Sequence, residues 1–199
     1  MSKIKVSAVS YTNTLPFLQG IKASPKLLEQ IDLSVDVPAE CARKVIQNEA
    51  DLGIIPVAAL TKILDYHIVT DYCIGSDGAV DSVFVFSTKP IEQIRSLRLD
   101  PQSRTSNGLA RILLKHHWKL DVEVVMEGEA DAYVLIGDRT FGQKDTVPYV
   151  YDLGVIWKDF TGLPFAYAVW VSNKKLPEDF ISDFNMALRK GVSHPLDVI

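Results

Sequence analysis

Short apolar segments with strand periodicity alternate along this chain with segments of helical periodicity. In the first third, strands are predicted at residues 4–9, 31–37 and 51–56, and helices are predicted to start at Thr14, at Pro38 and at residue 57. Thr14 is a candidate N-cap, and Pro16 falls in the first helical turn, where its missing N–H leaves no hydrogen bond unmade. Strands that alternate with helices are typical of an α/β fold with a largely parallel sheet.

The same alternation continues to the end of the chain. Strands are predicted at residues 82–87, 97–99, 122–125, 133–136 and 165–172, and helices at 57–64, 90–95, 106–117, 153–160 and 177–190. The segment 165–172 is apolar almost throughout, which is typical of a strand covered on both faces. Gly162 and Pro164 are predicted to end the helix that precedes it.

The composition is that of a folded globular protein. Of the 199 residues, 47% are hydrophobic and 23% are charged, which excludes disordered, collagen-like and coiled-coil chains. The formal net charge is −4 and no basic cluster is visible, so nucleic acid is not an expected partner. The length fits one large domain or two small lobes, and no Gly/Ser-rich linker divides the chain.

The first residues do not have the pattern of a secretory signal peptide, because Ser7, Ser10 and Thr12 interrupt the apolar run. No stretch approaches the roughly 20 apolar residues that a membrane span requires. The two cysteines, Cys41 and Cys73, have neither metal-binding nor redox spacing. We therefore expect a cytoplasmic protein that does not associate with a membrane.

Three segments place hydroxyl and amide side chains between the end of a strand and the start of a helix. They are residues 10–14 (SYTNT), 103–108 (SRTSNG) and 137–140 (GDRT). Free N–H groups at a helix start can bind an anion such as a carboxylate, and ligands of open α/β sheets lie at the carboxyl ends of the strands. The same residue types also cap helices without any ligand, so both interpretations stand at this point.

Arg104 is the side chain in these segments best suited to a carboxylate, because its planar guanidinium can donate two parallel hydrogen bonds. A surface ion pair is the alternative role.

The polar segment 77–81 is predicted to form a turn. His116 and His117 are neighbours on one helix and cannot face one site together, so no metal site is predicted. The sequence contains no glycine-rich phosphate loop and no recognisable pair of a nucleophile with a histidine.

A set of short motifs runs through nearly the whole chain in a fixed order. The most specific are residues 9–17 (VSYTNTLPF) and 161–165 (TGLPF) with 168–170 (AVW); the others are 51–57 (DLGIIPV), 81–87 (DSVFVFS), 103–106 (SRTS), and 151–154 (YDLG) with Trp157. Together they resemble the chorismate dehydratase family. Thr12 departs from the family, in which leucine is common at this position, next to Asn13.

The resemblance implies a fold like that of type II periplasmic binding proteins, with two α/β lobes, a cleft between them and two hinge strands. Lobe one would comprise residues 1–83 and 170–199, lobe two residues 87–166, and the hinge segments residues 82–87 and 165–170. Relatives usually continue with further helices that pack on lobe one. This chain stops at residues 193–199, just after one helix, so we expect it to be incomplete as a family member. Apolar residues of lobe one are then expected to lie exposed, which would favour low solubility or oligomerisation; the oligomeric state stays open.

The resemblance also implies a reaction, which is dehydration of chorismate to 3-enolpyruvylbenzoate in the futalosine route to menaquinone. Chorismate would be the small-molecule partner, the enzyme would be cytoplasmic, and no cofactor is expected. The matching positions make Asn13 and Ser82 the catalytic residues. The substrate-binding residues implied in the same way are Tyr11, Thr14, Ser103, Arg104, Thr105, Ser106, Thr161 and Gly162.

The side chains expected at the reaction site do not include a base. Asn13, Ser82, Thr105 and Ser106 do not ionise near neutral pH. Elimination from chorismate produces an aromatic ring, so orientation and hydrogen bonds to the leaving hydroxyl are expected to carry the catalysis. A carboxylate of the substrate is the expected proton acceptor.

Two other functions stand beside this one. A non-catalytic receptor for small carboxylates uses the same two-lobed architecture and closes on its ligand by a hinge, and the fold does not separate it from an enzyme. A later enzyme of the same pathway shares the fold, but its motifs match this chain less well. The opening motif and the missing export signal favour the dehydratase.

Overall fold

The computed structural model describes residues 2–193, in which the chain forms two compact units. Unit 1 combines the part of the chain up to residue 74 with the part from residue 168 onward, and unit 2 comprises residues 75–167. The expected end of the chain after its last helix concerns residues 194–199, which lie outside the described part, and the expected apolar patch on lobe one stays a prediction.

The elements alternate between strand and helix as the sequence indicates. The strands are β1 (Ile4–Val9), β2 (Ile31–Asp36), β3 (Leu52–Pro56), β4 (His67–Ser76), β5 (Val83–Ser87), β6 (Ser96–Arg98), β7 (Glu123–Val125), β8 (Ala132–Ile136), β9 (Tyr149–Asp152) and β10 (Phe165–Ser172). The α-helices are α1 (Leu15–Lys22), α2 (Pro25–Gln30), α3 (Pro38–Ile46), α4 (Arg104–His116), α5 (Leu153–Thr161) and α6 (Glu178–Val192). Short 3₁₀ helices occupy Thr12–Thr14, Val57–Lys62, Ile91–Gln93 and Gly137–Thr140.

Unit 1 is built on a five-stranded sheet in the order β2-β1-β3-β10-β4. β1 is parallel to β2 and to β3, whereas β10 is antiparallel to β3. Trp170 of β10 is fully buried in its core. Its ring makes edge contacts with Phe17 of α1 and Phe184 of α6, at centroid distances of 6.1 and 5.0 Å, so one aromatic side chain joins the sheet to both helices.

Unit 2 is built on a second five-stranded sheet in the order β7-β6-β8-β5-β9. β6 is parallel to β7 and to β8, and β5 is antiparallel to β8 and to β9. Helix α4 buries Leu109 and Leu113, and Val85, Leu97 and Val134 of the sheet are buried as well. The apolar periodicity of residues 106–117 therefore marks a helix that packs in a core, as expected.

Both sheets are mixed, so the prediction of a largely parallel sheet is corrected. The pairs of β10 with β3 and of β5 with β8 and β9 are antiparallel. Periodicity identifies a strand but carries no information about the direction of the neighbour with which it pairs. The α/β class itself agrees with the prediction.

The sequence did not predict β4, β9 or α2. β4 and β9 each lie last in the order of their sheet; several side chains of β4 are exposed, and β9 has only 4 residues, none of them fully buried, so neither contains a long apolar run. Helix α2 has only 6 residues. The helices expected over residues 57–64 and 90–95 are 3₁₀ helices, and α4 begins at residue 104 rather than 106.

The chain passes from unit 1 to unit 2 at residues 74–75 and returns at residues 167–168. The return lies inside the expected segment 165–170. The first passage lies ahead of the expected segment 82–87, because β5 is hydrogen-bonded on both sides within the sheet of unit 2. The hinge function of these segments stays a prediction.

Two glycines allow α1 and α6 to approach with their backbones in contact. A Cβ atom built on Gly191 of α6 would overlap the carbonyl of Pro16 in α1 and would lie 2.9 Å from the amide nitrogen of Gly20. A Cβ atom on Gly20 would overlap the carbonyl of Ala187 in the same way. Backbone atoms cannot move aside as a flexible side chain can, so any larger residue at either position must push the two helices apart.

We expect Gly191→Ala to lower the free energy of unfolding by about 2–3 kcal/mol through this overlap. Gly108→Ala is the matched control, because Gly108 lies in α4 and a Cβ there would meet nothing within 4 Å; the higher helix propensity of alanine should make it neutral or stabilising by up to about 1 kcal/mol. Urea unfolding of the two variants measures both effects. Equal stability of the two variants would contradict the close approach of α1 and α6.

Candidate functional site

The first predicted segment, residues 10–14, follows the carboxyl end of β1 in unit 1. Thr14 is buried, and its hydroxyl donates to the carbonyls of Val9 and Tyr11, at 2.6 Å in both cases, instead of capping α1. These hydrogen bonds fix the turn between the strand and the helix. Asn13, in the 3₁₀ helix Thr12–Thr14, is exposed, and its role toward a ligand stays a prediction.

Asp36, on the neighbouring strand, supports this turn through its backbone carbonyl and is itself held by its carboxylate. The carbonyl of Asp36, the last residue of β2, accepts a hydrogen bond of 3.0 Å from the amide of Ser10. Its carboxylate accepts hydrogen bonds from the hydroxyls of Ser7 and Ser34 and from the Lys44 ammonium, at 2.9, 2.8 and 2.6 Å. Burial opposes ionisation of Asp36, but these hydrogen bonds outweigh it and hold the pKa of its carboxyl below the ordinary value.

In unit 2 the structure brings the other two predicted segments together. β6 and β8 are parallel neighbours, so residues 103–108 and 137–140 both follow carboxyl ends at the same edge of the sheet. Asp100, whose side chain is fully buried, connects them. Its carboxylate accepts from the amides of Gln102 and Ile136, at 2.9 and 3.1 Å, and from the Arg139 guanidinium at 2.6 Å.

The hydroxyl residues at the start of α4 are buried. Ser103 is the N-cap, and its hydroxyl accepts a hydrogen bond of 3.1 Å from the amide of Ser106. Thr105 and Ser106 are also buried, with 5% and 3% of their surfaces exposed. For Ser103 the contact in the structure is therefore that of a helix cap, and a role of these three residues toward a ligand stays a prediction.

Arg104 differs from its neighbours because its side chain is exposed at the first turn of α4. Among residues 2–193 its guanidinium has no ion pair, whereas Arg139 in the adjacent segment is paired with Asp100. The surface ion pair that was the alternative role for Arg104 is thus not observed in the described part of the chain. A free guanidinium beside the positive end of a helix is suited to a carboxylate.

Ser82 lies at the same edge of unit 2, immediately before β5. Val83 pairs with Ile136, and the carbonyl of Ser82 accepts a hydrogen bond of 2.8 Å from the amide of Gly137. The Ser82 hydroxyl is half-buried and donates to the carbonyl of Val80 at 3.3 Å. The structure therefore brings Ser82 to the segment 137–140.

Thr161 and Gly162 lie at the C-terminal end of α5. The Thr161 hydroxyl donates to the carbonyl of Trp157 at 2.8 Å and accepts from the amide of Leu163 at 3.2 Å, and Gly162 ends the helix with a φ of 74°. The N-terminal end of α5 follows Asp152, which pairs with Phe84 of β5. The 9 residues of α5 span about 13 Å, which separates Thr161 from the end of the helix nearest Ser82. A binding role for Thr161 and Gly162 stays a prediction.

The sequence reasoning missed the three carboxylates that organise these edges, Asp36, Asp100 and Asp152. Asp152 accepts from the amides of Gly154 and Val155 as the N-cap of α5. A signal for it existed, because an aspartate directly before a helical pattern is typical of an N-cap. For Asp100 the following proline indicates a turn, but nothing in the sequence shows that its carboxylate reaches β8.

In the part of the chain that the structure describes, no three His, Cys, Asp or Glu side chains lie close enough together to hold a metal ion. Within those same residues no helix combines the length and the apolar character of a membrane span.

Comparison with known proteins identifies the family. The family model described as menaquinone biosynthesis matches residues 4–198. The chain belongs to this family. Among curated proteins, this member of the menaquinone biosynthesis family is similar to a chorismate dehydratase of Thermus thermophilus, with 24% identity over 218 residues that cover 94% of this chain and 77% of the Thermus protein.

Two solved structures superimpose on this chain and show its fold. A protein of Archaeoglobus fulgidus superimposes with a TM-score of 0.75 and 18% identity, covering 98% of this chain and 77% of that one. A Candida albicans protein with the generic periplasmic-binding-protein fold superimposes with a TM-score of 0.58 and 13% identity, covering 99% of this chain and 72% of that one. The fold is therefore of the periplasmic-binding-protein type, as the motifs implied.

The hydrogen bonds to Asp36 predict a pH dependence of stability. Because its pKa is lowered in the folded protein, the carboxylate stabilises the fold above the pKa of the unfolded chain, about 3.9, and this contribution is lost as the pH falls through the folded-state pKa. We expect Asp36→Asn to be less stable than the unmodified protein near neutral pH and the difference to shrink below about pH 4.

Thermal unfolding at a series of pH values measures this difference. Asp32→Asn is the control, because Asp32 is exposed on the same strand; it should show no comparable loss. If the difference in melting temperature between Asp36→Asn and the unmodified protein widened as the pH falls, it would contradict the assigned hydrogen bonds.

Proposed function

We propose that this protein is a chorismate dehydratase, which converts chorismate to 3-enolpyruvylbenzoate in the futalosine route to menaquinone. The observation that carries the proposal is the similarity to the Thermus thermophilus chorismate dehydratase over 94% of the chain. Arg104 at the start of α4 supports it, because its guanidinium is exposed and has no ion pair within residues 2–193, and the substrate is a dicarboxylate. Cys41 and Cys73 are both free, which fits the reducing cytoplasm in which we place the reaction.

The reaction requires few groups from the protein. A ring hydrogen leaves as a proton, the electron pair of its C–H bond forms a new ring double bond, and the ring hydroxyl departs and is released as water. The departing hydrogen is activated by a diene conjugated to a carboxylate, and the product ring is aromatic. Holding the substrate in one orientation and stabilising the leaving hydroxyl are therefore the main tasks of the enzyme.

Arg104 is proposed to bind one substrate carboxylate. Its guanidinium is exposed, has no ion pair within residues 2–193, and stands at the first residue of α4. A carboxylate there would accept two parallel hydrogen bonds from the guanidinium and would be favoured by the positive end of the helix dipole. Lysine retains the charge but cannot form the two parallel bonds.

Asn13 and Ser82 are proposed to act on the leaving hydroxyl. Asn13 is exposed in the turn after β1, and the Ser82 hydroxyl is half-buried before β5. Both side chains donate hydrogen bonds, and neither removes a proton near neutral pH. We therefore propose that a carboxylate of the substrate accepts the ring proton.

A non-catalytic receptor for small carboxylates is the second candidate, because the fold is compatible with it as well: a protein with the generic periplasmic-binding-protein fold superimposes on 99% of the chain. A receptor would bind chorismate without changing it. The turnover experiment below separates the two candidates.

Mixing the protein with chorismate should produce an aromatic absorbance and a product lighter by one water in mass spectrometry. In the same assay, Arg104→Lys should raise KM about tenfold or more, because one of two charge-assisted hydrogen bonds is lost, and Arg104→Ala should raise it further. Arg111→Ala, which removes an exposed arginine from the same helix, is the control and should leave KM unchanged. Bound chorismate that is never converted would favour the receptor.

Asn13→Ala should give a folded protein whose kcat is lower by about 10²–10³, the usual cost of removing one preorganised donor. Circular dichroism checks the fold, and steady-state kinetics with chorismate measures kcat.

The kcat of the unmodified protein should show no ionisation near neutral pH that belongs to the enzyme. The proposal fails if the pH profile is bell-shaped and one limb disappears when a single His, Asp or Glu is replaced.

A further inference from the structure

The residue before Ser82 has an uncommon backbone conformation. Asp81 has a φ of 56°, in the left-handed region that residues other than glycine seldom adopt. Such a conformation costs free energy and persists only where the surrounding structure enforces it. Its position matters, because the backbone of Asp81 sets the direction in which the next residue, Ser82, leaves the turn.

Asp152 holds this turn from one side. One carboxylate oxygen, Oδ2, accepts hydrogen bonds from the amides of Val80 and Asp81, at 3.1 and 2.8 Å. The other, Oδ1, accepts from the amides of Gly154 and Val155, at 2.8 and 3.2 Å, as the cap of α5. A single carboxylate therefore joins the left-handed turn to the N-terminus of α5.

Gly154 allows the turn to lie directly against the helix. A Cβ atom on Gly154 would overlap the carbonyl of Gly78 and would come within 2.8 Å of the Ser76 hydroxyl. On the other side of the turn, the amide of Gly137 donates to the carbonyl of Ser82 at 2.8 Å. The segment from Gly78 to Ser82 is thus held by α5 at one end and by the end of β8 at the other.

We propose that Asp152 and the left-handed backbone of Asp81 are a positioning device for the Ser82 hydroxyl. This inference rests on the proposed function, in which the Ser82 hydroxyl gives up its bond to the carbonyl of Val80 and donates to the leaving group instead. Asp152 is a positioning residue: it acts through the turn and need not touch the substrate.

Helix capping alone does not account for Asp152. An N-cap needs only the bonds to Gly154 and Val155, whereas the bonds to Val80 and Asp81 bridge 72 and 71 positions of the sequence. The ion pair between Asp81 and Lys144, 2.9 Å long and exposed, does not account for the backbone conformation either, because an exposed pair contributes little.

Asp152→Asn separates the two functions of this carboxylate. The amide oxygen of asparagine can still cap α5 and accept the longer bond of 3.3 Å from the amide of Val80. Its NH₂ group replaces the oxygen that accepts from the amide of Asp81, and two donors cannot bond to each other, so the turn is loosened at Asp81. We expect kcat for chorismate to fall by about tenfold or more, since small misplacements of a reacting group have effects of up to about 10², while KM changes by less than about threefold.

The double-mutant cycle with Ser82→Ala shows whether Asp152 acts through Ser82. In the Ser82→Ala background, Asp152→Asn should lower kcat by less than about twofold, because the group that it positions is absent. The same loss of kcat in both backgrounds would overturn the proposal, since Asp152 would then support the structure in general.

A second pair of variants does not depend on Asp152. Asp81→Gly and Asp81→Val both remove the ion pair with Lys144, but only glycine adopts a φ of 56° without strain. We expect kcat of Asp81→Val to lie about tenfold or more below that of Asp81→Gly. Lys144→Ala, which breaks the same ion pair and leaves the backbone unchanged, is the control and should retain full activity.

The outcomes distinguish this inference from the proposed function. If the unmodified protein does not convert chorismate, the proposed function fails and the role of Asp152 toward Ser82 fails with it. If it converts chorismate and either Asp152→Asn retains the full kcat or the two Asp81 variants have equal kcat, only the positioning role is overturned.

Discussion

The arrangement of both units depends on finding acceptors for backbone N–H groups where strands end and helices begin. An N–H group that is buried without an acceptor costs about 1–3 kcal/mol, and each transition from strand to helix exposes several of them. In unit 2 the carboxylates of Asp100 and Asp152 serve as these acceptors. Each carboxylate bonds residues from two separate segments, so the same interactions that satisfy the backbone also fix the edge on which the predicted site residues lie.

Hydrogen bonds within the protein also determine which polar side chains remain available to bind a ligand. The hydroxyls of Thr14 and Ser103 are hydrogen-bonded to the backbone of their own turns. Arg139 is held by Asp100, whereas Arg104 has no ion pair within residues 2–193. The two arginines follow neighbouring strands at one edge of the sheet, but only Arg139 lies within reach of a buried carboxylate. They therefore differ in whether the guanidinium is available to a ligand.

Several parts of the site were predictable because they depend on local order in the chain. Hydroxyl and amide residues follow β1, β6 and β8 as expected, and the motifs around Asn13 and Ser82 indicated the family. The interactions of Asp152 with Val80 and Asp81 were not predictable, since the residues are more than 70 positions apart in the sequence. The turn at residues 77–81 was expected, but the left-handed conformation of Asp81 was not, because an aspartate in a turn can adopt several backbone conformations and the sequence does not show which one the surrounding groups select.

The sequence by itself determined the α/β class, the helices with a buried apolar face and the family, because periodicity and short motifs are local properties. The tertiary structure decided the mixed strand directions, the edge strands β4 and β9, and the pairing of Asp100 with Arg139. These features depend on which segments pair, and that choice follows from the packing of the whole core and from the need of each buried N–H and carboxylate for a partner. Neither requirement can be evaluated along the chain alone.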